Sequence, residues 1–295
     1  MDTKPQVVYI AGYGRSGSTL LDSLLGNHPQ VFGAGEVNRV FRRLHLNEPC
    51  ACGSTMRDCA FWTAVVDRIS ETLPEFDVAK AAEVTLAAET LFSIRRSPSH
   101  YAEIWSAVLN AIGAVSQRSI IIDSSKNSRI AHYRLSLLRK SVGASVKVVH
   151  LVRDPRAVIW STRRGSDRRL EQGDSRPSPG GSLRTLLSWT YSNIAAEAAQ
   201  FRAEPEKFLR LRYEDLAVAP RETLASLAAF LEIDTGAVWS SDDDFDPGHG
   251  VGGNRMRRKG RIVIRYDDEW KRKLPRLDRV MPGLFFPLMR KYGYR

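Results

Sequence analysis

The chain has 295 residues, 43% of them hydrophobic and 26% charged, which is enough to bury a sizeable core and form one large α/β domain. Lys and Arg exceed Asp and Glu by 44 − 33 = 11, which favours a polyanionic partner: nucleic acid, an anionic membrane surface or a ligand with several phosphates. No stretch approaches the roughly 20 apolar residues of a membrane span, the apolar run at the N-terminus is too short for a signal peptide, and three cysteines make no disulfide framework, so the sequence reads as soluble and cytoplasmic.

Taken in chain order, the first predicted element is an apolar strand, Val7–Ala11, followed by the Gly-rich turn "GYGRSG" and a helix over Ser18–Leu25 that Gly26 closes. A short strand, Val31–Gly33, comes next. From about 45 to 115 there is no clear strand; helices over Phe61–Leu73, Ala79–Ile94 and His100–Val115 predict a helical excursion that shapes an acceptor pocket. Strand and helix then alternate: Ser119–Asp123, Arg129–Ser141, Val146–Val152, Pro155–Thr162, Ser182–Phe201, Phe208–Tyr213 and Pro220–Leu231, with a loop-like stretch at Arg163–Ser182. Continuously apolar strands separated by longer helices predict a parallel sheet covered on both faces, in a single domain over 1–295.

The turn after the first strand has the layout of a phosphate loop, because backbone amides of such a turn and the N-terminus of the next helix attract an anion. It lacks the lysine of a Walker A loop: Gly17 is followed by Ser18 and Thr19, and the cation, Arg15, precedes that glycine. With no obvious second acidic motif for Mg²⁺, a phosphate-like ligand handled without metal is favoured. Asp123 could serve as a metal carboxylate, which leaves a P-loop small-molecule kinase as the alternative enzyme. A basic nucleic-acid-binding module is the non-enzyme alternative, and in 254–273 the aromatics available for it are Tyr266 and Trp270.

"GYGRSGSTLL" resembles the 5′-phosphosulfate loop of sulfotransferases that use 3′-phosphoadenosine 5′-phosphosulfate (PAPS), above all the arginine form of the protein-tyrosine sulfotransferases. "VVHLVRDPRAVIWS" is similar to the family's 3′-phosphate strand and helix, with Arg153 at the strand end and Ser161 eight residues later. "RKGRIVIRYDDEWK" resembles its segment over the 3′-phosphate and adenine, which implies a basic lid at about 249–273, and "RYEDL" a segment whose tyrosine nears the nucleotide. The resemblance implies a P-loop-type α/β fold, PAPS as co-substrate, and no metal. It implies contacts to PAPS from Gly14, Arg15, Ser16, Gly17, Ser18, Thr19, Arg153, Ser161, Tyr213, Arg258, Lys259 and Gly260, and Lys126 as a second active-site cation. Glu36, 21 residues beyond Arg15, looks like the glutamate base of the tyrosine enzymes, with His28 the other candidate. Their closely following arginine is displaced here to Arg39, which puts peptide specificity in doubt and leaves the acceptor open among a small molecule, glycan, lipid or peptide.

"CACGSTMRDCAFW" places Cys50, Cys52 and Cys59 in one loop with His45 upstream. Three thiolates and an imidazole suit structural Zn²⁺, but the paired C-x₂-C knuckles are missing, and the loop is expected to be a packed, metal-free one.

Overall fold

The computed structural model of the chain describes residues 4–89, 99–126, 131–142, 146–165, 181–200, 205–235, 246, 248–253 and 264–295. Five strands, β1 (Gln6–Ala11), β2 (Val31–Gly35), β3 (Ile120–Asp123), β4 (Val146–Val152) and β5 (Phe208–Arg212), form one parallel sheet in the order β2-β3-β1-β4-β5. Every residue of β3 and β4 is buried, as expected of parallel strands covered on both faces.

The described helices are α1 (Ser18–Gly26), α2 (Val40–His45), α3 (Ala60–Thr72), α4 (Val78–Ala88), α5 (Ser99–Ser116), α6 (Ala131–Val142) and α7 (Pro155–Arg163). They continue with α8 (Gly181–Gln200), α9 (Tyr213–Val218), α10 (Pro220–Leu231), α11 (Trp270–Lys273), α12 (Arg276–Val280) and α13 (Phe286–Lys291). The period-2 alternation of β1 divides the core. Val7, Tyr9 and Ala11 pack with the layer that includes α3 and α5, whereas Val8 and Ile10 pack with Leu21, Leu24 and Leu25 of α1 and Leu224 and Leu227 of α10. The architecture is therefore a parallel sheet between two helical layers.

The predicted elements are present with shifted ends. The strand at 31 runs on to Gly35, and Tyr213, expected to close a strand, opens α9 instead. Gly26 does not end α1 by a left-handed turn; Asn27 caps it with φ −82°, and Gly26 is there because a Cβ would lie 3.0 Å from the amide nitrogen of Gly33. The helix expected over 79–94 ends at Ala88, with 90–98 outside the described residues. Among the described residues, 45–116 contains no strand of the sheet, in keeping with a helical excursion. The short helices α2, α9 and α11 to α13 were not foreseen, since each spans less than two turns and carries little periodic signal.

Candidate active site

Parallel pairing sends all five carboxyl ends to one edge of the sheet, and a residue just beyond each strand lines a single cavity of about 510 Å³. Small-ligand sites commonly fall at about 300–1,000 Å³, outside the carboxyl ends of the strands in α/β sheets. The turn after β1, Glu36 after β2, Lys126 after β3, Arg153 after β4 and Tyr213 after β5 all reach it. Six cationic side chains, Arg15, Arg39, Lys126, Arg153, Arg164 and Arg265, face two acidic ones, Glu36 and Asp267. Cations outnumber carboxylates in its wall, a balance that attracts anions.

The loop after β1 is shaped by close approach. Gly12 has φ 111°, and a Cβ there would lie 2.4 Å from the carbonyl oxygen of Leu151. Arg15, a non-glycine, also takes a left-handed φ of 64°, which costs strain. Gly17 has φ 89°, and its Cβ would meet the Tyr213 ring at 2.5 Å. Gly17 caps α1 without a side-chain hydrogen bond, and Gly14, Gly17, Ser18 and Thr19 line the cavity. Ser16 departs from expectation. Its side chain is fully buried, its hydroxyl has no hydrogen-bond partner among the described residues, and it does not line the cavity.

Arg153 is nearly enclosed, 6% exposed, and ties the wall together. Its Nη1 donates to the carbonyl of Arg15 at 3.0 Å, its Nη2 pairs with Asp267 Oδ2 at 3.2 Å, and its guanidinium lies 4.2 Å above the Tyr213 ring. Asp267 also holds Arg164 at 2.7 Å, so one carboxylate carries two guanidiniums. Ser161, on α7, lines the same wall; Asp154 caps that helix by accepting from Arg156 N–H at 2.8 Å. Burial pushes the Tyr213 phenol up, which keeps it a donor, and its hydroxyl donates to the Arg265 carbonyl at 3.0 Å.

Lys126 donates through Nζ to the Tyr13 carbonyl at 3.2 Å. Burial pulls its ammonium down to about 7, against the opposite pull of Glu36. The Glu36 carboxylate pairs with Arg39 at 2.7 Å, and its backbone N–H donates to the Val251 carbonyl at 2.6 Å. With side chains 30% and 52% exposed, the Glu36–Arg39 pair is a weak, exchangeable one.

Other candidates fall elsewhere. His28 is buried away from the cavity, with Nδ1 accepting from Gln30 N–H at 3.1 Å and Nε2 2.9 Å from the Asp234 carbonyl, a structural role. Asp123, the carboxylate a kinase would need, is fully buried; Arg134 takes its Oδ2 at 2.7 Å and Ser125 N–H its Oδ1 at 2.8 Å. Of the aromatics that a nucleic-acid reading would use, Trp270 is buried beneath Arg156 at 4.5 Å and docks its segment on α7. Arg258, Lys259 and Gly260 lie outside the described residues. No described residue of 45–116 lines the cavity. Sequence reasoning did not single out Tyr13, Arg164, Arg265 or Asp267; Asp267 sits within the segment already noted for its resemblance, and only its pairing with Arg153 exposes it.

A family model, Sulfotransferase family, matches residues 5–236. Among solved structures, a sulfotransferase domain from the curacin biosynthetic pathway superposes with a TM-score of 0.56 at 18% identity, covering 99% of this chain and 98% of that chain. A sulfotransferase domain from the Synechococcus PCC 7002 olefin synthase does so with a TM-score of 0.53 at 20% identity, covering 97% and 96%. At these identities the likeness is one of fold. A search of curated proteins found no match.

Proposed function

The chain belongs to the sulfotransferase family, and we propose that it moves a sulfuryl group from PAPS to an acceptor hydroxyl or amine by in-line displacement. What carries this reading is the convergence of Arg15, Lys126 and Arg153 on one cavity with Glu36 in its wall. In this reading the amides of Gly14 to Thr19, with Arg15, hold the 5′-phosphosulfate, and Arg153 and Ser161 hold the 3′-phosphate. The glycine-capped start of α1 in the cavity wall, the nearly enclosed guanidinium of Arg153 with its buried, unpartnered Nε, and the open space beside Gly14 support that fit.

The acceptor oxygen or nitrogen forms a bond to sulfur as the bond from sulfur to the 5′-phosphate oxygen breaks, and the acceptor proton passes to Glu36. Negative charge gathers on the departing phosphate, where Arg15, Lys126 and the loop amides offset it. Glu36 must first exchange its partner Arg39 for the acceptor, which the exposure of that pair allows. Arg39 then becomes free to meet an acidic group on the acceptor.

Calorimetry with adenosine 3′,5′-bisphosphate tests the donor. It should bind without metal, and Arg153→Ala should weaken it at least tenfold more than it weakens adenosine 5′-phosphosulfate, the loss of a charge-assisted contact. No binding of that nucleotide, with ATP binding in the presence of Mg²⁺ instead, would sink the reading. Glu36→Gln should abolish turnover of sulfur-labelled PAPS with an acceptor while nucleotide binding persists; retained turnover removes Glu36 as the base.

A further inference from the structure

The cysteine loop meets a histidine 190 residues beyond Cys59. The sulfurs of Cys50, Cys52 and Cys59 and a ring nitrogen of His249 all lie within 4.8 Å of one another. We propose that these four residues form a tetrahedral structural Zn²⁺ site that fastens residues 248–253 to the helical layer. His45, the nearest histidine in sequence to the first cysteine, is not part of the group.

The geometry fits the ion. A tetrahedral site with Zn–S bonds of about 2.3 Å separates its sulfurs by about 3.8 Å; Cys52 Sγ and Cys59 Sγ stand 3.7 Å apart, and His249 Nδ1 is 3.2 Å from Cys59 Sγ. All three cysteines are free thiols. The loop is folded as a ligand turn: Cys50 N–H donates to the Ser54 carbonyl at 2.8 Å, and Gly53 takes φ 96° to close it. Backbone N–H groups of Cys52, Ser54 and Trp62 face the sulfurs of Cys50, Cys52 and Cys59 in turn, which orients the three side chains. Around the group, the His249 ring stacks on Phe61 at 4.9 Å and its carbonyl accepts from Trp62 Nε1 at 2.8 Å, so its orientation is fixed before any ion arrives. Cys50 and Cys59 are buried while Cys52 is exposed, which gives an ion a way in. Three soft thiolates and an imidazole select zinc over the hard cations Mg²⁺ and Ca²⁺.

None of the four lines the cavity, so the ion would be structural rather than catalytic. Its reach is through the segment it fastens. Two residues past His249, Val251 bridges to Gly35 and accepts from Glu36 N–H, Gly252 packs against the Glu36 side chain, and Gly253 lies against Thr19. That segment leads directly into the basic run at 258–260. Metal binding stands or falls without reference to sulfuryl transfer.

The test is metal analysis of the full chain purified under reducing conditions, together with thiol titration and absorption spectroscopy after Co²⁺ substitution. The expected result is about one Zn²⁺ per chain, retained in His45→Ala and bound at least tenfold more weakly in Cys52→Ser and His249→Gln. The Co²⁺ form should show thiolate-to-metal charge transfer and the intense visible bands of a tetrahedral ion. That readout uses the unsubstituted protein, so a variant that fails to fold does not decide the matter. A chain that takes up no Zn²⁺ with all three thiols freely reactive, a Cys52–Cys59 disulfide in the purified protein, or an octahedral Co²⁺ spectrum would each overturn the site.

Discussion

Asp267 holds both Arg153 and Arg164, so an anion that needs Arg153 must compete with a carboxylate already there. Asp267→Asn removes the competing charge while keeping a hydrogen-bond acceptor. It should tighten adenosine 3′,5′-bisphosphate about 3- to 10-fold by calorimetry; weaker binding would mean that Asp267 instead keeps Arg153 in position. Lys126 makes a second prediction at this scale. Burial sets its ammonium to titrate at about 7, and the charged form lies below that pH, so nucleotide affinity should fall as pH rises through about 7. Lys126→Arg stays charged throughout and should flatten that fall. Gly17 is constrained on two counts, φ 89° and a Cβ position 2.5 Å from the Tyr213 ring. Gly17→Ala should therefore leave a folded chain whose nucleotide affinity is at least tenfold lower, read by calorimetry beside circular dichroism.

Lys126 is positioned by elements that the cavity does not contain. Arg134 of α6 is 1% exposed, stacks 4.3 Å over Trp105 of α5, and bonds Asp123 at the end of β3 and Glu89 just past α4. Asp123 in turn accepts from Ser125 N–H, and Ser125 Oγ accepts from Asn38 N–H at 2.9 Å. Removing the single cation strands two buried carboxylates. Arg134→Leu should cost about 3–5 kcal/mol in denaturant unfolding, and a near-neutral result would show that the network relaxes to admit water. At the level of elements, much was legible from pattern alone. The apolar runs of β1 and β4 and the Pro155 start of α7 announce themselves because strand burial and a proline at the first helical turn are local properties. Tyr213 shows the limit: its β-favouring residue type argues for strand, yet the Glu214-Asp215 first turn and packing against Gly17 and Arg153 make it open a helix.

For the whole molecule, the excess of 11 positive charges and the six cations of the cavity act on an anionic ligand before contact. Nucleotide association should slow about tenfold between 0.05 and 0.5 M salt in stopped-flow measurements, as the Debye length shrinks from about 14 to about 4 Å; a flat profile would deny long-range steering. The sequence by itself determined the parallel α/β class, the Gly-rich turn between β1 and α1 and the side chains that follow strands, because each is written in consecutive residues. Only the tertiary structure decided that Ser16 turns into the core, that Asp267 occupies Arg153, that Asp123 belongs to Arg134, and that His249 rather than His45 joins the cysteines. The physical reason is shared by all four. Each is settled by a packing constraint or partner distant in the chain, and hydrophobic period, turn chemistry and motif spacing carry information only over the few residues that a turn or one helix spans.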